Sequence, residues 1–353
     1  YGNVPFADET FQIGGTALPP RISRADLFAF LETELKAIDG GLVDARKNEY
    51  GRADKAAAWA LLAKMYLNAE VYLGAGKGRY ADAATYAKKV IDAGYTLAPT
   101  YGNLFLADNN TNNTEIIFPI VFDGKSTQSY GGTTFLTHAA VSGTADANWN
   151  PAEFGIGGGW GGNRTTANLF QQFPDTASDS RGRFKTKGQT LAITSLTDFK
   201  YGYVPVKFKN VTSKGVAGSD NTFVDADFPM FRLADMYLTY AEAVVRGGGD
   251  QALALTYVNR VRTRAFRGST AGNIAASGLT LPFLLSERSR ELFWEATRRT
   301  DLIRYNLFTS SAYLWPWKGG VAAGRGVADY LSLFPIPSSE LSINANLTQN
   351  TGY

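Results

Sequence analysis

The chain has 353 residues, 44% of them hydrophobic, enough to bury one large core or two. Its 35 basic and 32 acidic side chains leave a formal charge of +3, a balance that predicts neither a nucleic-acid groove nor attraction to an anionic membrane surface. Without cysteine and with a single histidine, it has no disulfide framework, no thiolate nucleophile, no cysteine-rich zinc site and no metal site built from several imidazoles.

The opening Tyr1-Gly2-Asn3-Val4-Pro5-Phe6 reads like the middle of a loop, so a preceding segment is expected. No run of about 18 apolar residues predicts a transmembrane helix. Ser23, with Asp26 three positions on, announces a first helix through Leu27, Phe30, Leu31, Leu35 and Ile38, which Gly40-Gly41 stops. A longer helix over Ala53 to Leu73 carries Trp59, Leu62, Ala63, Tyr66 and Leu67. After a glycine-rich turn, Tyr80 to Ala93 follows with Ala83, Ala84, Ala87, Val90 and Ile91 on one face. The pattern Trp-x2-Leu-Ala-x2-Tyr, a turn and a small-residue helix is that of a tetratricopeptide-type hairpin.

Tyr101 to Tyr203 has another texture, rich in Gly, Thr, Asn and aromatics, with short apolar runs such as Ile116 to Phe122. It reads as loops and short strands packed on a helical scaffold, and a long irregular insertion is usually functional. His138 lies there among small and apolar neighbours, as a packed polar residue rather than a catalyst. A second hairpin runs from Arg232 to Val245, turns at Gly247-Gly248-Gly249, and resumes after the cap Asp250 with Leu253, Leu255, Tyr257, Val258 and Val261. A last long helix is expected from near Leu284 towards Ile303. Arginines at helical spacing (Arg260, Arg262, Arg264 and Arg267, then Arg288, Arg290, Arg298 and Arg299) read as solvated or ion-paired faces. The expected fold is mostly α, a single unit over 1–353. Its scaffold of tetratricopeptide-like hairpins covers 24–93 and 231–305, a loop-rich ligand-binding lobe covers 101–203, and C-terminal loops cover 306–353.

Four passages carry a resemblance. The hairpin Ala53–Ala93 is followed by Asn103-Leu104-Phe105 and Thr114-Glu115-Ile116-Ile117-Phe118-Pro119. Next come Phe231-Arg232-Leu233-Ala234-Asp235-Met236-Tyr237-Leu238 with Tyr240-Ala241-Glu242-Ala243. Then follow Glu287-Arg288, Glu291-Leu292-Phe293-Trp294-Glu295 and Asp301-Leu302-Ile303-Arg304. The tail holds Phe334-Pro335-Ile336-Pro337, Glu340-Leu341, Asn344, Asn346-Leu347, Gln349-Asn350 and Gly352-Tyr353. In this order they resemble the SusD/RagB family of nutrient-binding outer-membrane lipoproteins. The resemblance implies a cell-surface protein of a Gram-negative bacterium, attached through a lipidated N-terminal cysteine in a preceding segment and associated with a SusC-like TonB-dependent barrel transporter. The phrases Gly124 to Phe135 and Gly157 to Thr166 are similar to the starch-binding branch, which implies capture of starch and maltooligosaccharides without cleavage. Another glycan or nutrient is the alternative within the family.

Glycan binding needs flat aromatic faces and a few fixed hydroxyl partners. Tyr130, among glycines and hydroxyl residues, is either a stacking face or a loop-packing tyrosine. Trp149 lies between amides, and Tyr101 just beyond the first hairpin offers a second platform. The glycines around Trp160 either let backbone approach a ligand or permit tight turns around a buried indole. Asn163 and Arg164, from the same family-like phrase, complete the glycan-binding candidates. Trp59 and Trp294 read as core packing. Pro316 should send Trp315 and Trp317 to opposite sides. Asp225 and Asp227, with Asp82, are candidate oxygen ligands for a structural calcium ion, although Asp82 is equally a first-turn acid favouring the helix dipole. Glu291 and Glu295 make a glycoside hydrolase conceivable, but one helical turn apart beside arginines they read better as ion pairs. A tetratricopeptide peptide-binding adaptor would leave the insertion unexplained.

Overall fold

Ser23 starts the first helix as its sequence predicts. In the computed structural model, which describes all residues except 13, 16, 112 and 144–147, its hydroxyl accepts from the Asp26 amide at 3.0 Å and caps α1, Arg24–Ala37. Asp54 caps α2, Lys55–Leu67, in the same way. The helix expected to run on to Leu73 breaks at Asn68, and a short α3, Ala69–Leu73, follows. The break has a cause: buried Asn68 donates to Lys64 O at 2.8 Å and accepts from Arg304 at 2.9 Å, so its amide serves a distant arginine. Beyond the turn, α4, Tyr80–Asp92, packs on α2 through Ala56, Ala60, Ala63 and Ala87, whose lack of bulk lets the backbones approach.

Two short helices, α5 (Gly132–His138) and α6 (Ala167–Phe170), lie in the irregular middle of the chain. The second pair is α7, Leu233–Gly247, and α8, Gln251–Ala265, the latter capped by Asp250. Every residue from Leu233 to Val244 is buried, which fits a helix walled in by α4, α8 and α9, Leu281–Leu292. Two further helices are α10, Arg298–Arg304, and α11, Ser338–Ile343. No helix among the described residues is long and apolar enough to cross a membrane.

Among the described residues six short strands form three two-stranded antiparallel ribbons: β1 (Val4–Pro5) with β2 (Arg21–Ile22), β3 (Ile116–Ile120) with β6 (Phe228–Arg232), and β4 (Phe184–Lys185) with β5 (Val204–Pro205). The β3–β6 ribbon shifts register around Phe118 and runs straight into α7, where Leu233 N donates to Glu115 O at 3.0 Å.

The ribbon thereby delivers Arg232 and Glu115 into a buried ionic core. Arg232 donates to Glu115 at 2.9 Å, to Glu291 at 2.5 Å and to Glu295 at 2.7 Å. Glu291 also takes Arg264 and Arg181, and Glu287 takes Arg181, Arg262 and Arg290. Nearby, Glu242 receives Arg304 and Arg246, while Arg288 meets Asp235 and Asp301 at 3.0 Å. Arg264 and Arg288 are therefore inside the fold, whereas Arg260 and Arg267 keep the solvated position. Burial alone would raise the carboxyls of Glu242 and Glu287, but the surrounding guanidinium groups, Arg304 and Arg181 foremost, hold both at about 2.

The expected last helix is interrupted. α9 ends at Leu292 and α10 starts at Arg298, with Trp294 at φ 60° and Ala296 at φ 57° between them. This left-handed excursion turns Glu295 inward to Arg232 and to Lys207, 2.7 Å away. Trp294 consequently lies on no helical face; half-buried, it packs against two clusters of the irregular lobe. Trp59 does sit on α2, half-buried on the main core, with its indole N–H on Asp39 at 2.6 Å.

Candidate functional site

Among the described residues between 120 and 224, loops around the short helices and strands are laced to one another by their own backbone. Gly157 N donates to Asn221 O, Trp160 N to His138 O, Gly161 N to Val141 O and Gly162 N to Ala139 O, all within 2.9 Å. Gly159 packs so closely on the Val141 and Ser142 carbonyls that a Cβ would stand 2.3 Å from both, and Gly161 takes φ 62°. The glycines around Trp160 thus serve tight packing of the chain on itself, and the indole they flank is nevertheless exposed. Asp225 fastens a neighbouring loop, accepting from Gly124 N at 2.8 Å and from the Ser219 hydroxyl at 2.7 Å. The Thr134 hydroxyl of α5 accepts from Val224 N at 3.2 Å.

The result is a cluster of aromatic rings open to solvent. Tyr130 is 66% exposed, Phe135 45% and Trp160 42%. Trp160 lies 6.2 Å from both Tyr130 and Phe135, and Tyr130 lies 5.2 Å from half-buried Phe223. These three contacts are inclined at 51° to 52°, so the rings form facets rather than one plane. Exposed aromatic faces of this kind suit the apolar side of a pyranose ring.

Of the residues singled out from the sequence, Tyr130 and Trp160 meet here. Asn163 follows on the Trp160 loop, half-buried, with its amide on Ala139 O. Arg164 turns away and donates to the Asp198 and Leu196 carbonyls, holding a loop rather than offering a free donor. Tyr101 and Trp149 are not platforms. Tyr101 is 3% exposed, donates to Glu291 O at 2.8 Å and packs edge-on against Phe105, since its ring closes the core beside the ionic cluster. Trp149 is buried with Phe154 and Phe199. Phe135 and Phe223 were not picked out in the sequence. Phe135 shares α5 with buried Thr134, Thr137 and His138, and an aromatic beside threonines in a glycine-rich stretch was the available signal.

The three aspartates do not gather. Asp82 pairs with Arg79 at the start of α4, Asp225 is used as above, and Asp227 accepts from the Tyr50 hydroxyl at 2.5 Å and Phe122 N at 2.7 Å. Burial raises the Asp227 carboxyl above its ordinary value, against the pull of those bonds. Among the described residues no group of three or more His, Cys, Asp or Glu is placed to hold a metal ion. Glu291 and Glu295, buried and taken by guanidinium groups, likewise present no acid–base pair to solvent. Trp315 faces a cavity of about 310 Å³ with Tyr313 and Trp294, and Trp317 donates to Ile193 O at 2.9 Å, so both indoles are half-buried.

Comparisons with known proteins place this fold in a family. The SusD family model matches residues 176–353, and the chain belongs to that family, whose members bind without catalysing. It is similar to the starch-binding protein SusD of Bacteroides thetaiotaomicron, with 36% identity over 100% of this chain and 69% of that protein. SusD-like protein P2 of Formosa agariphila is 25% identical over 100% of this chain and 70% of its own length. Among solved structures, surface glycan-binding protein A of Bacteroides thetaiotaomicron in complex with laminarihexaose shares the fold, with TM-score 0.74 and 22% identity over 99% of this chain and 74% of that one.

Proposed function

We propose that this protein binds the α-glucan chains of starch and maltooligosaccharides at the cell surface, and that it hands them uncut to a SusC-like TonB-dependent barrel transporter in the outer membrane. A lipidated N-terminal cysteine, in a segment preceding Tyr1, would hold it there. The observation that carries the reading is the solvent-open ring cluster of Tyr130, Trp160 and Phe135 on the irregular lobe. Facets inclined by about half a right angle suit a chain that curves from sugar to sugar, whereas a flat chain calls for coplanar rings. The 36% identity with a protein named as starch-binding points the same way. On this reading the paired helices are tetratricopeptide-type hairpins that act as scaffold, and 101–203 is the binding lobe.

Calorimetric titration with maltoheptaose, amylopectin and laminarihexaose, followed by product analysis, tests the proposal. Saturable binding of the first two with no shorter sugars released is expected. Binding of laminarihexaose alone would move the specificity to another glucan, and binding of none would remove the glycan reading.

A further inference from the structure

The single histidine sits beneath the ring cluster. His138 is 3% exposed, with Nδ1 2.7 Å from Gly158 O and Nε2 2.8 Å from Thr222 O. The Trp160 indole stacks on its imidazole at 4.8 Å and 22°, and Trp160 N donates to the His138 carbonyl. Gly158 belongs to the loop that carries Trp160, Thr222 to the stretch that carries Phe223, and His138 itself ends the helix that carries Phe135. One side chain therefore touches all three ring-bearing segments.

A carbonyl oxygen accepts and cannot donate, so both bonds exist together only when both ring nitrogens carry hydrogen. A neutral ring would aim a lone pair at one of the two oxygens and lose that bond. A cationic ring against the indole face is favoured as well. We propose that His138 is a positioning residue for the glycan-binding rings, its doubly protonated imidazole tying the Trp160 loop to the Phe223 stretch, so that glycan affinity falls as rising pH removes a proton. This rests on the reading of the rings as the glycan surface.

The surroundings leave the imidazole no carboxylate partner among the described hydrogen bonds. α5 has no other titratable group, and residues 157–163 have none. Arg164 is turned to Asp198 O and Leu196 O. Asp220, beside Thr222, accepts from the Thr222 and Phe223 amides. Asp123 is taken by the Lys125 and Ser126 amides, and Tyr130 contacts Trp160 and Phe223.

Because the chain has one histidine, its imidazole nitrogen-15 signals are unambiguous. They are followed from about pH 5 to 8, the range in which imidazole ordinarily changes charge, together with the part of the tryptophan fluorescence that Trp160→Phe removes, maltoheptaose affinity and melting temperature. Wild-type protein should show both nitrogens protonated at the acid end and lose affinity by about tenfold towards the other, in step with the nitrogen signals. His138→Phe keeps a ring under Trp160 but donates to neither carbonyl, so its affinity should be about tenfold lower at the acid end and flat with pH. A neutral tautomer throughout with constant affinity overturns the proposal, as does a pH dependence that survives in His138→Phe. If that variant does not fold, the wild-type nitrogen and affinity curves decide alone. Tyr130→Ala and Trp160→Ala separate the two readings. Undiminished maltoheptaose binding in both would refute the ring surface, while the sugar-free nitrogen signals and fluorescence still judge the tie made by His138.

Discussion

Tyr130 and Tyr101 show how differently two tyrosines in one lobe are used. Among the described residues Tyr130 meets the rings of Trp160 and Phe223 and leaves two thirds of its surface open, so Tyr130→Ala should cut maltoheptaose affinity by about 1–2 kcal/mol while the melting temperature hardly moves. Tyr101→Phe should do the reverse: losing the hydroxyl that bonds Glu291 O should cost about 1 kcal/mol of stability in urea unfolding, with affinity unchanged. Trp149→Ala should be harsher still, about 3–5 kcal/mol, because it empties a packed cluster. If Tyr130→Ala unfolded the protein and Tyr101→Phe lost the sugar, the roles assigned to these rings would be exchanged. The sequence marks each of these residues as an aromatic in a glycine- and threonine-rich stretch, and that composition fits a face and a plug equally well. What separates them is the partner across the fold, Glu291 for Tyr101 and none of that kind among the described residues for Tyr130, and a separation of 190 residues leaves no local trace.

Two helix starts were legible because a cap is a local event: Ser23 and Asp250 each accept from an amide three residues on, as does Asp54, which the sequence reading passed over. Helix breaks were not, because Asn68 and the Trp294-Glu295-Ala296 turn answer to charges elsewhere in the chain. The arginines read as ion-paired faces are in part ion-paired, but their partners lie inside. A charge buried among its partners is costly to orphan, so Glu291→Gln, which leaves Arg232, Arg264 and Arg181 short of a carboxylate, should destabilise by about 3–5 kcal/mol. Urea unfolding measures this. A loss under about 1 kcal/mol would mean that the remaining carboxylates absorb the charge.

At the scale of the molecule the same cluster sets the response to acid. Glu242 and Glu287 titrate at about 2 when folded and near the ordinary 4.5 when unfolded, so the unfolded chain takes up more protons between those values. Their contribution is complete above about pH 4.5 and is lost as pH falls towards 2, and the urea midpoint should drop over that window. A midpoint constant from pH 5 to about 2.5 would contradict it. The inclined rings carry a second expectation: a cyclic glucan, already curved, should bind more tightly than a linear one with the same number of sugars, because it surrenders less freedom on binding. Calorimetry on the pair decides, and equal affinities would remove curvature from the account. The glycine-laced loops have one more consequence. They hold the exposed rings through main-chain bonds to each other, while the same lobe reaches the helices through Arg181 and Lys207. If the rings are the glycan surface, a lineage could trade one set of rings for another, and with it one diet for another, so long as those two ties to the scaffold are kept.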